Sequence, residues 1–278
     1  ARRARRAAGR CRMSSAPHPQ PPATNLPDPA TNLPDPATNL PDTGTGTRAL
    51  DLRYLDRPPA EHQRPYFPFV ADHLREALDR PGASVLDVGC ANGAFLHHLA
   101  GRYPHARLTG LDALPALVEH AARHVPHASF TLGDVGRAET LPARRYDAVT
   151  LLTLHSHFDS LDPWLDHVLD LVEPGGRALL FGPFNPHPVD VLVRLRQADA
   201  EGDGAWLPGW NVHSRAAFTE HLARRGLRHR FHDYQPPTSV PKSPADPLST
   251  RRATLDGAPV LTNGGGLLLP FALLEITV

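Results

Sequence analysis

Apolar residues follow two rhythms along this chain, and the switches between them predict most of its elements. Over 69–79 they recur at helical spacing, with Val70, Leu74 and Leu78 on one face, and Pro81-Gly82 ends the segment. Val85-Leu86-Asp87-Val88 predicts a short buried strand. Gly89 and Gly93 then bracket a turn of small residues, and Phe95, Leu96 and Leu99 mark the inward face of the helix after it. Strands at 107–112, 129–133, 146–154 and 177–181 follow, with helices at 115–124 (apolar at Leu114, Leu117 and Val118) and 163–172. The apolar density of 146–154 marks a central strand buried on both faces. Strands separated by helices in this order imply a parallel sheet covered on both sides.

The end of the chain breaks the alternation. Residues 183–213 form an insertion in which 189–198 predicts a short helix. Ser214 is placed to cap a helix over 216–225, and Gly226 to stop it. A sixth strand at 227–234 and a final one within 267–278 are joined by a proline-rich loop without a predicted helix. The last strand is therefore free to return antiparallel beside its neighbour.

The beginning differs in kind. A heptapeptide, Pro-Ala-Thr-Asn-Leu-Pro-Asp, occurs at 22–28, 29–35 and 36–42. One leucine per copy offers nothing to bury, and the prolines forbid a coiled coil, so 1–50 is expected to be an extended, disordered arm and 51–278 the folded domain. Residues 1–12 hold six arginines and no acid, which leaves 23 basic against 29 acidic side chains in the remainder. A mildly acidic body does not suit a nucleic-acid backbone. Lysine, isoleucine and methionine occur once each, at Lys242, Ile276 and Met13. This is the imprint of a GC-rich coding sequence, so the 17 histidines carry little meaning as a group. The sole methionine makes Met13 the expected start, with 1–12 as upstream sequence. Two cysteines, Cys11 and Cys90, build no disulfide framework, and no apolar run reaches the length of a membrane span. A cytoplasmic protein without membrane contact is expected.

Candidate chemistry gathers at the carboxyl ends of the strands, where open α/β sheets bind ligands. The glycine turn lets a ligand approach the backbone, and the helix after it points unpaired N–H groups over the turn. Asp112 and Asp134 close the second and third strands. Taken singly, each acid reads equally well as a turn former. Cys90 suits a small space-filler better than a nucleophile. His97 and His98 are adjacent on a helix and diverge by about 100°, and no cysteine–histidine cluster has metal spacing, so no metal is expected.

Four features in register carry a resemblance: Asp87-Val88-Gly89-Cys90-Ala91-Asn92-Gly93, Asp112, Gly133-Asp134, and Glu173-Pro174-Gly175-Gly176. Over about residues 65–278 the chain resembles the class I S-adenosylmethionine-dependent methyltransferases. That likeness implies a doubly wound, mostly parallel, seven-stranded Rossmann-like sheet with an antiparallel last strand, and S-adenosyl-L-methionine as cofactor. It implies a cofactor site of Asp87, Gly89, Cys90, Ala91, Gly93, Asp112, Ala113, Asp134, Val135, Leu154 and His155. In it Asp112 accepts the ribose hydroxyls, Asp134 and the Val135 N–H meet the adenine, and Leu154 and His155 close the sulfonium side. Ala91 replaces the family's middle glycine, a departure that matters only if the position needs positive φ.

His155 and His157 are the expected bases, with pocket lining as the alternative for either. Tyr66, Phe67, Phe184, Asn185, Trp206, Trp210, Asn211 and His213 are the candidate walls for a partly apolar small-molecule methyl acceptor. The Asn/Asp-Pro-Pro-aromatic tetrapeptide of amino-methylating DNA enzymes is absent; Leu152-Thr153-Leu154-His155 stands there. Two rival readings remain open. One is an NAD(P) site in which Gly89, Ala91 and Ala94 occupy the dinucleotide glycine positions. The other is a non-catalytic module that binds the adenosyl cofactor. A homodimer is compatible with all three.

Overall fold

Strand β1 (Ser84–Val88) shows why the chain layers as it does: all five residues are buried, so both faces of the strand need cover. Leu86 and Val88 point into one apolar cluster and Val85 into another. The computed structural model describes residues 51–196, 206–235 and 250–278. The chain divides into units Ala1–Gly44 and Thr45–Val278; the expected arm lies outside the described residues.

Before β1 come two short 3-10 turns, Asp51–Leu55 and Pro59–Glu61, then helices α1 (Phe67–His73) and α2 (Arg75–Leu78). Residues 69–79 therefore do not form the single helix that their spacing predicts. Leu74 interrupts it, its N–H reaching back to Ala71 in a tightened turn. Val70, Leu74 and Leu78 are all buried, so the spacing identified the face and not the continuity.

The chain continues through α3 (Ala94–Arg102), β2 (Arg107–Asp112), α4 (Pro115–His124), β3 (Ala128–Leu132), β4 (Tyr146–Leu152), α5 (Trp164–Asp170) and β5 (Val172–Asn185). β5 is 14 residues long, because Pro174-Gly175-Gly176 lies inside it as an irregularity and does not precede it.

After β5 the structure corrects the helix expected at 189–198. Among the described residues of that stretch, Val191 bridges Val212, and β6 (Arg194–Leu195) pairs with β7 (Leu207–Pro208). Backbone groups there are bonded to side chains and other strands, with the Val193 N–H on Asn211 Oδ1 and the Ser214 N–H on Asp190 Oδ1. No helical ladder is left to form. Strand β8 (His213–Ser214) leads into α6 (Arg215–Arg224), whose first turn Ser214 caps by accepting the Ala217 N–H at 3.1 Å.

Strand β9 (Arg228–Asp233) is followed by a hairpin of β10 (Arg251–Leu255) and β11 (Ala258–Thr262) in the predicted loop, and by β12 (Phe271–Thr277). The hairpin turns on Asp256-Gly257, both with positive φ, a two-residue turn whose twist suits a hairpin.

Main-sheet order is β3-β2-β1-β4-β5-β12-β9, with β8 pairing the end of β5. β3 to β5 run parallel, and β12 lies antiparallel between β5 and β9. One face carries α5 and α6 over Leu86, Val149, Leu180 and Leu274. The other carries α1, α2 and α3 over Val85, Leu179, Phe181 and Leu273. Among the described residues no helix is long and apolar enough to cross a membrane.

Candidate functional site

The carboxyl ends of β1 and β2 build one turn between them. The Gly89 and Cys90 N–H groups both donate to Leu111 O, at 2.7 and 3.1 Å. Gly89 has φ +71, and a Cβ there would stand 2.7 Å from Leu154 Cδ2, so a side chain is disfavoured by the backbone and would displace Leu154. Gly93 has φ +80 and caps α3 without a side-chain bond, leaving the first turn of that helix with its amides aimed over the turn. Ala91 lies between them with φ +49. The position does need positive φ, which corrects the expectation that alanine is a small departure. An L-residue in this region carries about 1–2 kcal/mol of strain.

Three acids surround the turn. Asp87 is buried beneath it, and Thr150 Oγ1 of β4 donates to its Oδ1 at 2.7 Å. Burial pushes the Asp87 carboxyl up to about 7; the Thr150 hydroxyl opposes the shift and the charge of Asp112 adds to it. Asp112 ends β2, with Oδ2 accepting the Ala91 N–H at 2.8 Å and Oδ1 the Leu114 N–H at 3.0 Å; Ala113 between them is half-buried. Asp134, past β3, turns its own loop by accepting the Gly136 N–H at 2.9 Å. Val135 is buried and its carbonyl accepts from His167 Nδ1. Cys90 is buried, and that burial pushes its thiol well up, which does not suit a nucleophile.

At the end of β4 the chain passes through Thr153, with φ +63, into a 3-10 turn, Leu154–His157. Leu154 lies half-buried over Gly89. The left-handed residue turns His155 away from the edge and into the core. Its ring is fully buried, stacked 4.5 Å from Phe184 and edge-on to Phe218. Nε2 lies 3.2 Å from Pro183 O and must carry the proton, while Nδ1 is buried without a partner. Burial pulls the imidazole down to about 3. A neutral ring enclosed in the core has neither the reach nor the basicity for proton abstraction, so the geometry does not support the expected base at His155. His157 is half-buried on the same turn.

The expected acceptor walls divide. Tyr66 is half-buried, stacks on Phe181 at 4.4 Å, and has its hydroxyl pKa raised by burial, with Tyr54 and Asp87 contributing. It therefore belongs to the neighbourhood of the turn. Phe67 and Phe184 are core residues instead, Phe67 against Phe95 and Phe184 against Phe218.

Asn211 is fully buried and acts as a staple: Oδ1 accepts the Val193 N–H, and Nδ2 donates to Phe158 O and Asp159 Oδ1. His213, also buried, lies 2.9 Å from Phe158 O through Nε2. Asn185 closes its own turn, accepting the His187 N–H and donating to Val189 O. Trp206 is 58% exposed beneath the Arg196 guanidinium, and Trp210 is half-buried. Polar residues after β5 thus hold the insertion together, because an irregular segment must satisfy its backbone through side chains.

Reading by motif missed Thr150 in β4 and Thr153 just past it, which shape the site, and the side chain of Asn92, buried within the turn. For Thr153 no sequence signal exists. Two features lie elsewhere. A cavity of about 450 Å³ opens at the opposite edge of the sheet, where Arg80 pairs with Asp147 and Arg177 with Glu76. Asp162, Asp166 and His221 bring potential ligand atoms within 4.8 Å of one another, and Arg225 already donates to Asp166 at 2.7 Å.

Comparison with known proteins identifies the family and the fold. A family model described as a methyltransferase domain matches residues 60–234. Nocamycin O-methyltransferase of Saccharothrix syringae is 35% identical over 128 residues, 44% of this chain and 45% of that protein. Trans-aconitate 2-methyltransferase of Streptomyces avermitilis is 32% identical over 134 residues, 45% of this chain and 48% of that protein. The chain spans about half the length of these curated relatives. Among solved structures, the DhpI–SAM–HEP complex aligns with a TM-score of 0.53 at 19% identity, covering 82% of this chain and 94% of that one. At such identity the likeness is one of fold.

Proposed function

Because the chain belongs to the methyltransferase-domain family, we propose that it is an S-adenosylmethionine-dependent methyltransferase that modifies a small-molecule acceptor. The observation that carries this reading is the turn itself: Gly89, Ala91 and Gly93 all at positive φ, with Asp87 below and Asp112 beside it. Backbone amides and carboxylates at this edge fit a ligand that bears hydroxyls and a positive charge. They fit a dinucleotide pyrophosphate poorly on account of Asp87, an anion when ionised beneath the turn, whereas Asp112 at the end of β2 suits the ribose hydroxyls of either cofactor.

Asp112 has the acceptor capacity for two ribose hydroxyls. Asp134 and Val135, one loop further on, suit the adenine edge. Asp87 suits the cofactor's ammonium group, because a neighbouring cation favours the ionised carboxylate over the protonated form that burial prefers. When bound, the cofactor supplies an already activated methyl group, so the protein's task is to align an acceptor and exclude water. Leu154 and Tyr66 provide apolar cover next to the turn. Of the two histidines expected as bases, His157 is the one that keeps contact with solvent.

That the relatives named above act on small molecules supports an acceptor of that class. Titration calorimetry with S-adenosylmethionine, S-adenosylhomocysteine and NAD tests the reading. Binding of the adenosyl ligands, lost in Asp112→Asn, is the expected result; binding of NAD alone overturns it.

A further inference from the structure

The segment 51–66 crosses the glycine turn as a strap that packs against α3 and α4, and one side chain fastens it. Asn92 is 1% exposed. Its Nδ2 lies 2.6 Å from His62 Nδ1, 2.9 Å from Tyr54 O and 3.3 Å from Arg57 O. An amide nitrogen has two hydrogens, so the two short contacts are full bonds and the third is shared. All three acceptors belong to the strap, and the donor belongs to the turn between Ala91 and Gly93. The strap also carries Tyr54 and Tyr66, and both Tyr54 and the turn acid Asp87 contribute to the raised pKa of the buried Tyr66 hydroxyl.

We propose that 51–66 is a latch over the cofactor turn and that Asn92 is a positioning residue that holds it closed, setting how tightly an adenosyl ligand is retained. The proposal rests on the methyltransferase reading for the ligand, and on geometry alone for the latch. Closure is balanced and not locked. Asn92 Oδ1 is buried without a partner, and burying an unsatisfied acceptor opposes the two bonds its nitrogen makes.

Protonation adds a release. His62 Nδ1 accepts from the amide only while the ring is neutral there; a proton on that nitrogen sets donor against donor. Burial, Arg64 and Arg57 hold the imidazole below its ordinary value, while the Arg57 backbone and Asp56 oppose the shift. The Tyr54 ring lies against His62 at 5.7 Å, and His120 of α4 senses the same Arg57 backbone.

The test uses the full chain, with Asn92→Ala on the turn side and His62→Ala on the strap side, so that a folding defect in one does not decide the matter. Hydrogen exchange without ligand should accelerate in 51–66 in both variants and stay unchanged in β1 and β4. Affinity for S-adenosylhomocysteine should fall about tenfold, the equivalent of one or two neutral hydrogen bonds. In the wild type, the opening of 51–66, read as exchange corrected for its intrinsic pH dependence, should also rise as the pH drops below the imidazole range, and His62→Ala should be flat. Unchanged exchange in 51–66 in both variants overturns the latch. So does unchanged affinity in variants of a protein that binds the ligand. If the wild type binds no adenosyl ligand, the methyltransferase reading fails, and exchange in 51–66 alone then decides the latch.

Discussion

Thr150 Oγ1 donates to Asp87 Oδ1 at 2.7 Å across the β1–β4 pairing, where the two residues stand directly opposite each other. The bond lowers the carboxyl pKa, and burial outweighs it, so the acid settles near 7 against an ordinary 3.8. Between those values the folded state holds a proton that the unfolded chain has released. Stability from this group is therefore present at acid pH and declines as the pH rises through the window, by about 1.4 kcal/mol per unit. Asp87→Asn removes the dependence. Urea unfolding should show the variant gaining on the wild type by about 2–3 kcal/mol between pH 5 and pH 8.

The same carboxyl links cofactor binding to protons. A cationic ligand group beside Asp87 drives it to ionise, so binding near pH 6 should release about one proton and binding at pH 9 close to none. Calorimetry with S-adenosylmethionine in two buffers of different ionisation enthalpy measures the difference. Equal apparent enthalpies at pH 6 would remove Asp87 from this role.

His155 titrates in the opposite sense. Its folded pKa of about 3 lies below the ordinary 6.5, because the core disfavours the cation. The folded protein resists a proton that the unfolded chain accepts, so stability is full above 6.5 and falls as the pH drops toward 3. The loss is about 1.4 kcal/mol per unit, or roughly 2 kcal/mol at pH 5. His155→Leu should flatten this acid limb, whatever it costs at neutral pH. Urea midpoints at pH 7 and pH 5 provide the check.

Ala91 and Gly89 predict opposite responses in one turn. Ala91→Gly relieves the strain at φ +49 and keeps the N–H bond to Asp112, while adding freedom to the unfolded chain. The net gain should be about 0.5 kcal/mol. Gly89→Ala imposes that strain and drives a methyl against Leu154. It should cost about 2 kcal/mol or more and weaken adenosyl-ligand binding. Thermal unfolding separates the two.

Asn211→Ala withdraws the amide that joins the Val193 N–H to Phe158 O. Phe158 O keeps His213, but the Val193 N–H is left unpaired and Asp159 Oδ1 loses a donor, which should cost about 1–3 kcal/mol. Exchange should quicken at 191–194 before the rest of the sheet responds, as hydrogen exchange can show.

Much of the fold was legible because burial enforces periodicity. β1 and β4 are rich in apolar residues, since each is covered on both faces, and the alternation with α3, α4 and α5 leaves few topologies. The Ser214 cap and the Asp256-Gly257 hairpin turn are local chemistry written in adjacent residues. The false helix at 189–198 shows the limit. Val189, Val191 and Leu192 look like a helical face, yet all three are exposed, because Asp190 and Asn211 organise that backbone instead.

By itself the sequence determined the order of strands and helices from β1 through β5, the glycine turn and the acids that close β2 and β3, because each depends on neighbours within a few residues. Tertiary structure alone decided what those residues face. It placed β12 between β5 and β9, and it turned His155 into the core through the left-handed Thr153. It also brought Asn92 beneath a strap from some 30 residues earlier in the chain. Such relations depend on which surfaces meet once the sheet has formed, and no local pattern of hydrophobicity records them.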